Sequence, residues 1–567
     1  MNKIFSVLSN LKAARSINIL FIISVLSSLL EYLFIYLIYS TVNYRVEDVL
    51  PKSAQKIIDI FNSFYSLNSE NLYLTLIKIL IIIFIIKTLV GLFYNFKLSY
   101  VSQKIVYTLS DKILKISLSK NISLENKKNS SFYKNTIVVD APMFGSSVLQ
   151  PIFFIVNDLL IFFAILFFLF LAEPLVSLYI CGTVLFVFLI LYLIFKKRLI
   201  RWGEIREQSS LKLIQKLNEI YKGIFEIKIY NVENYFYKNI IIQLNKLRLV
   251  LTKSNFLNHL PRVILETLIF VILFIILFIE LVRSEASILP YISALFAASI
   301  KLIPIISRVM TNIQNFFFAR SIINKFYNLL NVNNKLKKDE TTIDQSKSKE
   351  ISLIKIINLS FKYKKNIILK KINIDLQKGY PVGITGESGG GKSTIAAIIG
   401  GMINDYSGKI EFYDDKKNKL YDKTEVGLAS IIPQDVFVFD DILINNLIFD
   451  KKNLAKRVLD DPYNNLLKNL KINKNRKLGE DGQKISGGQR QRLGVLRSLI
   501  FNKRVLIFDE STSNLDKKNK IFLFELINFL KKDKLILIIS HDKAFLSICK
   551  KILILKKGTL RVQKLKD

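Results

Sequence analysis

Cysteine and histidine are almost missing from this chain of 567 residues, which has two of each. Cys181 falls in an apolar stretch and Cys549 far away near the C-terminus, so neither a disulfide framework nor a cysteine metal cluster can be built. Acidic residues are also scarce, with 45 Asp+Glu against 82 Lys+Arg and a net charge of +37. That balance fits nucleic acid, or equally the basic cytoplasmic loops of a membrane protein. A general abundance of Lys, Ile and Asn weakens any reading of the total alone. The first apolar run lacks a small-residue cleavage site, so no cleaved signal peptide is expected. What the chain has in quantity is apolar surface: 51% hydrophobic residues and a mean hydropathy of +0.33. Long runs with little charge fill the first half and are absent from the second.

About twenty apolar residues of helix cross a bilayer core. Six stretches qualify: 17–42, 73–96, 145–171, 175–195, 263–282 and 287–309, the last interrupted by Lys301 and Pro304. Six such segments are too many and too long for the buried helices of a soluble core. They also argue against a soluble nucleic-acid-binding protein, so no nucleic-acid partner is expected. Residues 97–142 carry eight Lys and three Asp/Glu, and residues 196–262 carry fourteen Lys/Arg and five Glu. The stretch 43–72 has three basic and four acidic residues. The positive-inside rule therefore places both termini and the two long basic loops in the cytoplasm.

Helical spacing of Leu211, Ile214, Leu217, Ile220 and Tyr221 extends the membrane helices into those loops. Residues 231–240 read as a short helix at the far tip. Ser53 to Leu67, with Ile57, Ile58, Ile60, Phe61 and Phe64 on one face, reads either as an amphipathic helix on the outer interface or as a loop packed on the bundle. Lys87, Arg262, Lys301 and Arg308 lie in or at the ends of segments, with Glu31, Lys78, Asp158 and Glu266 as further charged positions. Any one of these fits snorkelling or an internal ion pair. Four cations over three helices raise a stronger hypothesis, an anion site in a central cavity.

Residues 331–350 are polar and aperiodic, a linker between a 1–330 membrane domain and a 351–567 domain of alternating strands and helices. Within the latter, Gly386-Glu387-Ser388-Gly389-Gly390-Gly391-Lys392-Ser393-Thr394 follows an apolar strand and opens a helix. Its glycines let backbone N–H groups turn toward a polyphosphate, Lys392 reaches the terminal phosphates, and Ser393 offers a hydroxyl to Mg²⁺. Val505 to Phe508 is a buried strand ending in Asp509-Glu510, able to hold Mg²⁺ and polarise a water. Leu535 to Ile539 repeats the pattern and delivers Ser540-His541.

Between them lies Ile485-Ser486-Gly487-Gly488-Gln489, and with it the set resembles an ATP-binding-cassette (ABC) transporter of exporter type. The resemblance implies a six-helix transmembrane bundle followed by an α/β P-loop nucleotide-binding domain. ATP would be cradled by Gly386, Ser388, Gly389, Gly391 and Lys392 to Thr394, with Tyr363 stacked on adenine. Ser393, Gln434 and Asp509 would serve Mg²⁺, Glu510 would be the general base, and His541 would contact the γ-phosphate. Ser486, Gly487, Gly488 and Gln489 would close on ATP held by a second subunit, and Ser513 to Asp516 would cross that interface. Ile485 replaces the family's Leu, Asn514 an Ala, and Asp542 an Arg, none of them a catalytic group. With one cassette and six spans the chain is half a transporter, and a homodimer is the simplest expectation.

Segments five and six further resemble the flippases for lipid-linked oligosaccharides of bacterial protein glycosylation. That likeness implies a polyprenyl-pyrophosphate glycan as cargo, an inner-membrane location, and a pyrophosphate contact for Lys87, Arg262, Lys301 and Arg308. Lys87 and Lys301 stand where that family has Arg, which keeps charge but loses the bidentate fork. An exporter of another lipid, a drug or a peptide would use the same engine with a less basic cavity.

Overall fold

The computed structural model describes residues 2–10, 14–47, 72–118, 130–172, 174–283, 289–336, 351–363, 366–422, 424, 428–449, 470, 472–473, 475–510 and 517–563. The chain divides into two compact units, one of Met1–Leu118 with Lys128–Lys338 and one of Ser119–Lys127 with Asp339–Asp567.

The described part of the first unit is helical. Its main helices are α1 (Asn2–Asn10), α2 (Ala14–Glu47), α3 (Leu72–Leu118), α4 (Gln150–Ala172), α5 (Pro174–Lys222), α6 (Glu233–Arg283), α7 (Leu289–Phe318) and α8 (Arg320–Leu336). Short helices at Ser130–Asn135 and Ala141–Phe144 alternate with π-helical turns at Thr136–Asp140 and Gly145–Leu149 before α4 begins. Among the described residues, Ser16–Ile38, Tyr73–Leu118 and Ser130–Phe167 are long and apolar enough to cross a membrane. The segments 175–195 and 263–282 lie within α5 and α6, and 287–309 runs into α7. With 49 residues, α5 is about 73 Å long, more than twice the ~30 Å of bilayer hydrocarbon. The amphipathic continuation beyond the spans is therefore real helix.

Three expectations change. The tip between α5 and α6 is the short helix Ile224–Ile229, and residues from Glu233 onward already belong to α6. Asn231, with φ 54°, takes the left-handed conformation that Asn tolerates and makes the break there. The stretch expected as a linker from 331 begins inside α8, which runs to Leu336 because Phe326 and Leu330 pack against Ile4 and Val7 of α1. The remainder of that linker, the outer stretch 53–67 and Ser513 to Asp516 lie outside the described residues. Finally, α6 and α7 continue through Pro261 and Pro304. Pro261 leaves the Leu257 carbonyl without its helical donor, and the Thr311 hydroxyl donates to the next carbonyl, that of Asn258, at 3.0 Å.

The second unit is α/β. An antiparallel sheet has the order β2 (Asn366–Gln377), β1 (Leu353–Tyr363), β4 (Ser407–Tyr413), β5 (Lys419–Tyr421). The larger sheet has the order β10 (Thr559–Gln563), β9 (Lys551–Lys556), β3 (Val382–Gly386), β8 (Leu535–Ile539), β7 (Val505–Asp509), β6 (Ala429–Ile432). From β9 to β6 its pairings are parallel. Val505 to Phe508 and all five residues of β8 are buried, the continuous apolar run that a sheet covered on both faces demands. Ile384, Ile395, Ile399, Leu537 and Leu555 share the main core beneath helix α9 (Lys392–Ile399). Helices α10 (Leu443–Ile448) and α11 (Gly487–Ile500) follow β6 and share a smaller core through Leu443, Leu447, Leu493 and Leu496.

Candidate nucleotide site and membrane cations

Parallel strands that end at one edge of a sheet bring their following loops together, and ligands of such folds sit at that carboxyl edge. Here β3, β8 and β7 are neighbours, so the loops carrying Lys392, His541 and Asp509-Glu510 meet. The Gly386-to-Thr394 loop is shaped by glycine where nothing else fits. Gly386 has φ 150°, and a Cβ there would stand 2.2 Å from the Leu555 carbonyl oxygen of β9. Gly391, also at positive φ, is the residue before α9.

Lys392 is 5% exposed, and its ammonium donates to the carbonyls of Gly386 at 2.7 Å and Glu387 at 3.1 Å. It therefore ties the loop to itself while facing His541 and Glu510. Its Nζ lies 3.1 Å from His541 Nε2 and 3.8 Å from Glu510 Oε1, and His541 Nε2 is 3.8 Å from the same oxygen. Glu510 holds a left-handed backbone, φ 49°, pinned by its N–H donating to the Ile539 carbonyl at 2.8 Å. For a glutamate that conformation costs free energy, and here it is paired with a side chain delivered to the phosphate loop.

Asp509 accepts a hydrogen bond from Ser393, and burial is the first reason its carboxyl is held above the ordinary carboxylate range. Its other oxygen, Oδ1, is buried without a hydrogen-bond partner. A hydroxyl beside a half-satisfied buried carboxylate is a donor set that suits a hydrated Mg²⁺. Tyr363, at the end of β1, packs edge-on against Phe361 with ring centroids 4.7 Å apart. Gln434 follows β6 and is exposed, on the same carboxyl edge.

Ser486 to Gln489 lie elsewhere in the unit, at the start of α11, and among the described residues no hydrogen bond or ion pair joins them to Lys392. Ser486 caps α11 in a reciprocal box, accepting from the Gln489 N–H while its own N–H donates to Gln489 Oε1 at 2.9 Å. Gln489 also donates to the Leu470 carbonyl at 3.0 Å. Gly487 has open space where a Cβ would stand, so the helix start is uncovered. Asp542 is explained locally: it accepts from the Ala544 N–H at 3.0 Å and from Lys520 at 2.8 Å, capping the short helix Lys543–Leu546.

In the first unit, three of the four expected anion-binding cations are already paired. Lys87 meets Glu31 at 2.6 Å and lies 4.3 Å from the Phe34 ring centroid. Arg262 meets Glu266, one turn along the same helix, at 2.7 Å. Arg308 makes a two-point contact with Asp158, Nε to Oδ2 at 3.2 Å and Nη2 to Oδ1 at 3.0 Å. Lys301 lies on α7, and its side chain is outside the described residues. These three form separate ion pairs, each cation with a carboxylate of its own. Sequence reasoning offered an internal ion pair for any one of these charges but did not assign which carboxylate partners which cation.

A parallel-edge phosphate loop with an Asp-Glu strand end, a His on the next strand, and a separate capped Ser-Gly-Gly-Gln helix, all preceded by membrane-length helices, defines a membrane-transport ATPase class. The ABC transporter transmembrane-region profile matches residues 17–299 and the ABC transporter profile residues 369–513. The chain belongs to the ABC transporters, in the exporter-type half-transporter arrangement of one membrane region and one cassette. Among its relatives is the ATP-dependent lipid A-core flippase of Wigglesworthia glossinidia brevipalpis, 24% identical over 83% of this chain and 82% of that protein. The flippase of the same name from Francisella tularensis subsp. holarctica (strain OSU18) is 30% identical over 36% of this chain, a stretch spanning 35% of the relative's length. The fold matches a solved bacterial Atm1-family ABC exporter with ATP bound, at TM-score 0.75 and 14% identity, over 96% of this chain and 94% of that one.

Proposed function

We propose that two copies of this chain form an ATP-driven exporter that flips an anionic glycolipid, a polyprenyl-pyrophosphate glycan, across a bacterial inner membrane with the cassettes in the cytoplasm. The observation that carries the ATPase half is the meeting of Lys392, His541 and Glu510 within 3.8 Å at the edge where Asp509 keeps a buried oxygen unpartnered. ATP would bind along Gly386 to Thr394, with Mg²⁺ held by Ser393 and Asp509 and approached by Gln434. The metal supplies charge neutralisation for the transferred phosphoryl group. Glu510 accepts the proton of the attacking water, and His541 holds the terminal phosphate. The open start of α11 in one copy would close over nucleotide in the other, because Ser486 to Gln489 make no hydrogen bond or ion pair with Lys392 of their own chain.

A lipid cargo is supported by relatives named as lipid A-core flippases. The pyrophosphate is supported by Arg308, whose side chain is 57% exposed despite its carboxylate partner. Two of its N–H groups face Asp158, and the other edge of the guanidinium has donors left for an anion. The same relatives favour a second reading, lipid A-core itself as cargo. Proteoliposomes offered a fluorescent polyprenyl-pyrophosphate glycan and a fluorescent lipid A-core in parallel separate the two. ATP-dependent movement of the first alone is the expected result, and movement of only the second would replace the cargo assignment. Glu510→Gln should stop movement of either.

A further inference from the structure

Outside both sites, the first unit buries a charged cluster that neither ATP chemistry nor cargo contact uses. Asp140 is 0% exposed and accepts from Lys325 at 2.7 Å, Asn135 at 2.9 Å and Arg206 at 3.3 Å. Lys325 also meets Glu207 at 2.6 Å, and the Ser210 hydroxyl donates to Asn135 at 2.7 Å. The charges sum to zero, two carboxylates against two cations. They come from three places: the segment leading into α4, the extension of α5 past its span, and α8.

Position gives the cluster its meaning. The chain leaves the first unit through α8 and enters the second at Asp339. Between α7 and α8 the helix breaks at Ala319. Just there α5 comes so close that a Cβ on Gly203 would stand 2.0 Å from the Phe318 carbonyl oxygen. α8 thus has a break at one end, and six residues past Ala319, Lys325 is its charged fixing point to α5 and to Asp140. α8 is also held by α1, through apolar packing and Lys3 donating to Asn324 at 2.8 Å. Asp140 itself ends a π-helical turn, and a second π turn follows at Gly145–Leu149. Such turns hold a residue beyond α-helical register and are frequent at functional sites. Arg206 Nε is buried in the same cluster without a hydrogen-bond partner, so the network is short of one acceptor in this conformation. Buried networks that are not fully satisfied are costly and lend themselves to rearrangement.

We infer that Asp140, Arg206 and Lys325 are positioning residues that brace the exit helix α8 to the helices of spans three and four, so that cassette motion reaches the membrane helices as a rigid displacement. The inference rests on the transport reading above, but not on the identity of the cargo. It is tested on the full chain in nanodiscs with Lys325→Met, which keeps the side-chain stem and removes the ammonium, and with Lys325→Arg, which restores charge. Spin labels at Leu74 in the two copies report ATP-dependent movement in a Glu510→Gln background, and hydrolysis is measured with Glu510 intact. Lys325→Met should hydrolyse ATP near the wild-type rate yet lose most of the ATP-dependent label displacement. In proteoliposomes with the fluorescent polyprenyl-pyrophosphate glycan, ATP used per lipid moved should rise about tenfold, and Lys325→Arg should recover both. Wild-type displacement in Lys325→Met would overturn the brace, as would equal unfolding of both variants, which would make the cluster merely structural. Label displacement without movement of the lipid in wild type would overturn the cargo assignment alone. Absence of displacement in wild type would overturn the transport reading and the brace with it.

Discussion

Replacing Arg308 by Ala should destabilise the first unit far more than replacing Asp158 by Asn. The pair is lopsided: the Asp158 side chain is 4% exposed and that of Arg308 is 57%. Losing the guanidinium strands a carboxylate with no water to turn to, and breaking a buried pair from one side costs about 3–5 kcal/mol. Asn157 still donates to Asp158, which puts the expected loss at the lower end, about 3 kcal/mol. Asp158→Asn instead leaves a half-exposed cation within reach of water or lipid phosphate, a loss closer to the ~1 kcal/mol of a surface pair. Removing both charges should then recover stability, with a coupling on the order of 2 kcal/mol. The chain has one tryptophan, Trp202 in α5, so thermal unfolding followed by its emission in nanodiscs reports this unit. The Arg308→Ala midpoint should fall by roughly 5–10 °C and the double variant should regain about a third of it. Equal losses for the two single variants, or strict additivity, would refute the reasoning. The result governs how cargo experiments are read, because transport lost in Arg308→Ala alone would mix anion contact with a stranded Asp158.

Gly386→Ala drives a Cβ into the β9 backbone 2.2 Å away, so nucleotide binding should weaken by at least about tenfold, read by fluorescent-ATP titration. Glu510→Gln should keep ATP binding and abolish turnover, and steady-state phosphate release at the wild-type rate would remove Glu510 as the base. Because burial lifts the Asp509 carboxyl above its ordinary range, it takes up a proton at a higher pH than a free aspartate. Mg²⁺-dependent nucleotide binding should therefore weaken on acidification before ordinary carboxylates titrate, as calorimetry from pH 7 downward would show. Burial pushes the Cys549 thiol up to about 12, so in a Cys181→Ser background it should resist maleimide at pH 8 until the cassette unfolds. The sign for stability follows: the unfolded thiol ionises near its usual value while the folded one does not, so the cassette loses stability as pH rises through about 9.

What the sequence disclosed depended on distance along the chain. The phosphate loop, the Asp509-Glu510 strand end and the capped Ser486 helix are each carried by a few consecutive residues, and local chemistry shaped them as their order predicts. Arg262 with Glu266 was equally local, one helical turn apart. Lys87 with Glu31 and Arg308 with Asp158 were not, since their partners lie on other helices and only packing selects them among many charges. The brace at Asp140 was invisible for the same reason, with contributors drawn from residues 135 to 325. Where local signals failed they failed at breaks: Asn231 in the left-handed region moved the loop tip, and buried contacts with α1 carried α8 past the start of a stretch too polar to look helical.

The paired cations change what an anion site in the membrane can be. A free cation about 4 Å from a phosphate oxygen attracts it by about 4 kcal/mol at an effective dielectric near 20. Three or four uncompensated cations would bind a pyrophosphate too tightly to let go of it on the far side. With Glu31, Asp158 and Glu266 already holding Lys87, Arg308 and Arg262, the phosphate of the proposed cargo would have to compete with a carboxylate on arrival and would be replaced by one on departure. Under that proposal affinity would be lowered and release eased at the same positions. The nucleotide site is built the other way. Asp509 keeps an unpartnered buried oxygen there, so binding of the metal–nucleotide complex relieves a penalty and leaves free energy to drive movement. A pump needs that asymmetry, strong gain where fuel binds and near balance where cargo passes. Neutralising Asp158 together with Glu31 should then slow cargo release relative to ATP hydrolysis, while neutralising Arg308 with Asp158 should lower cargo affinity.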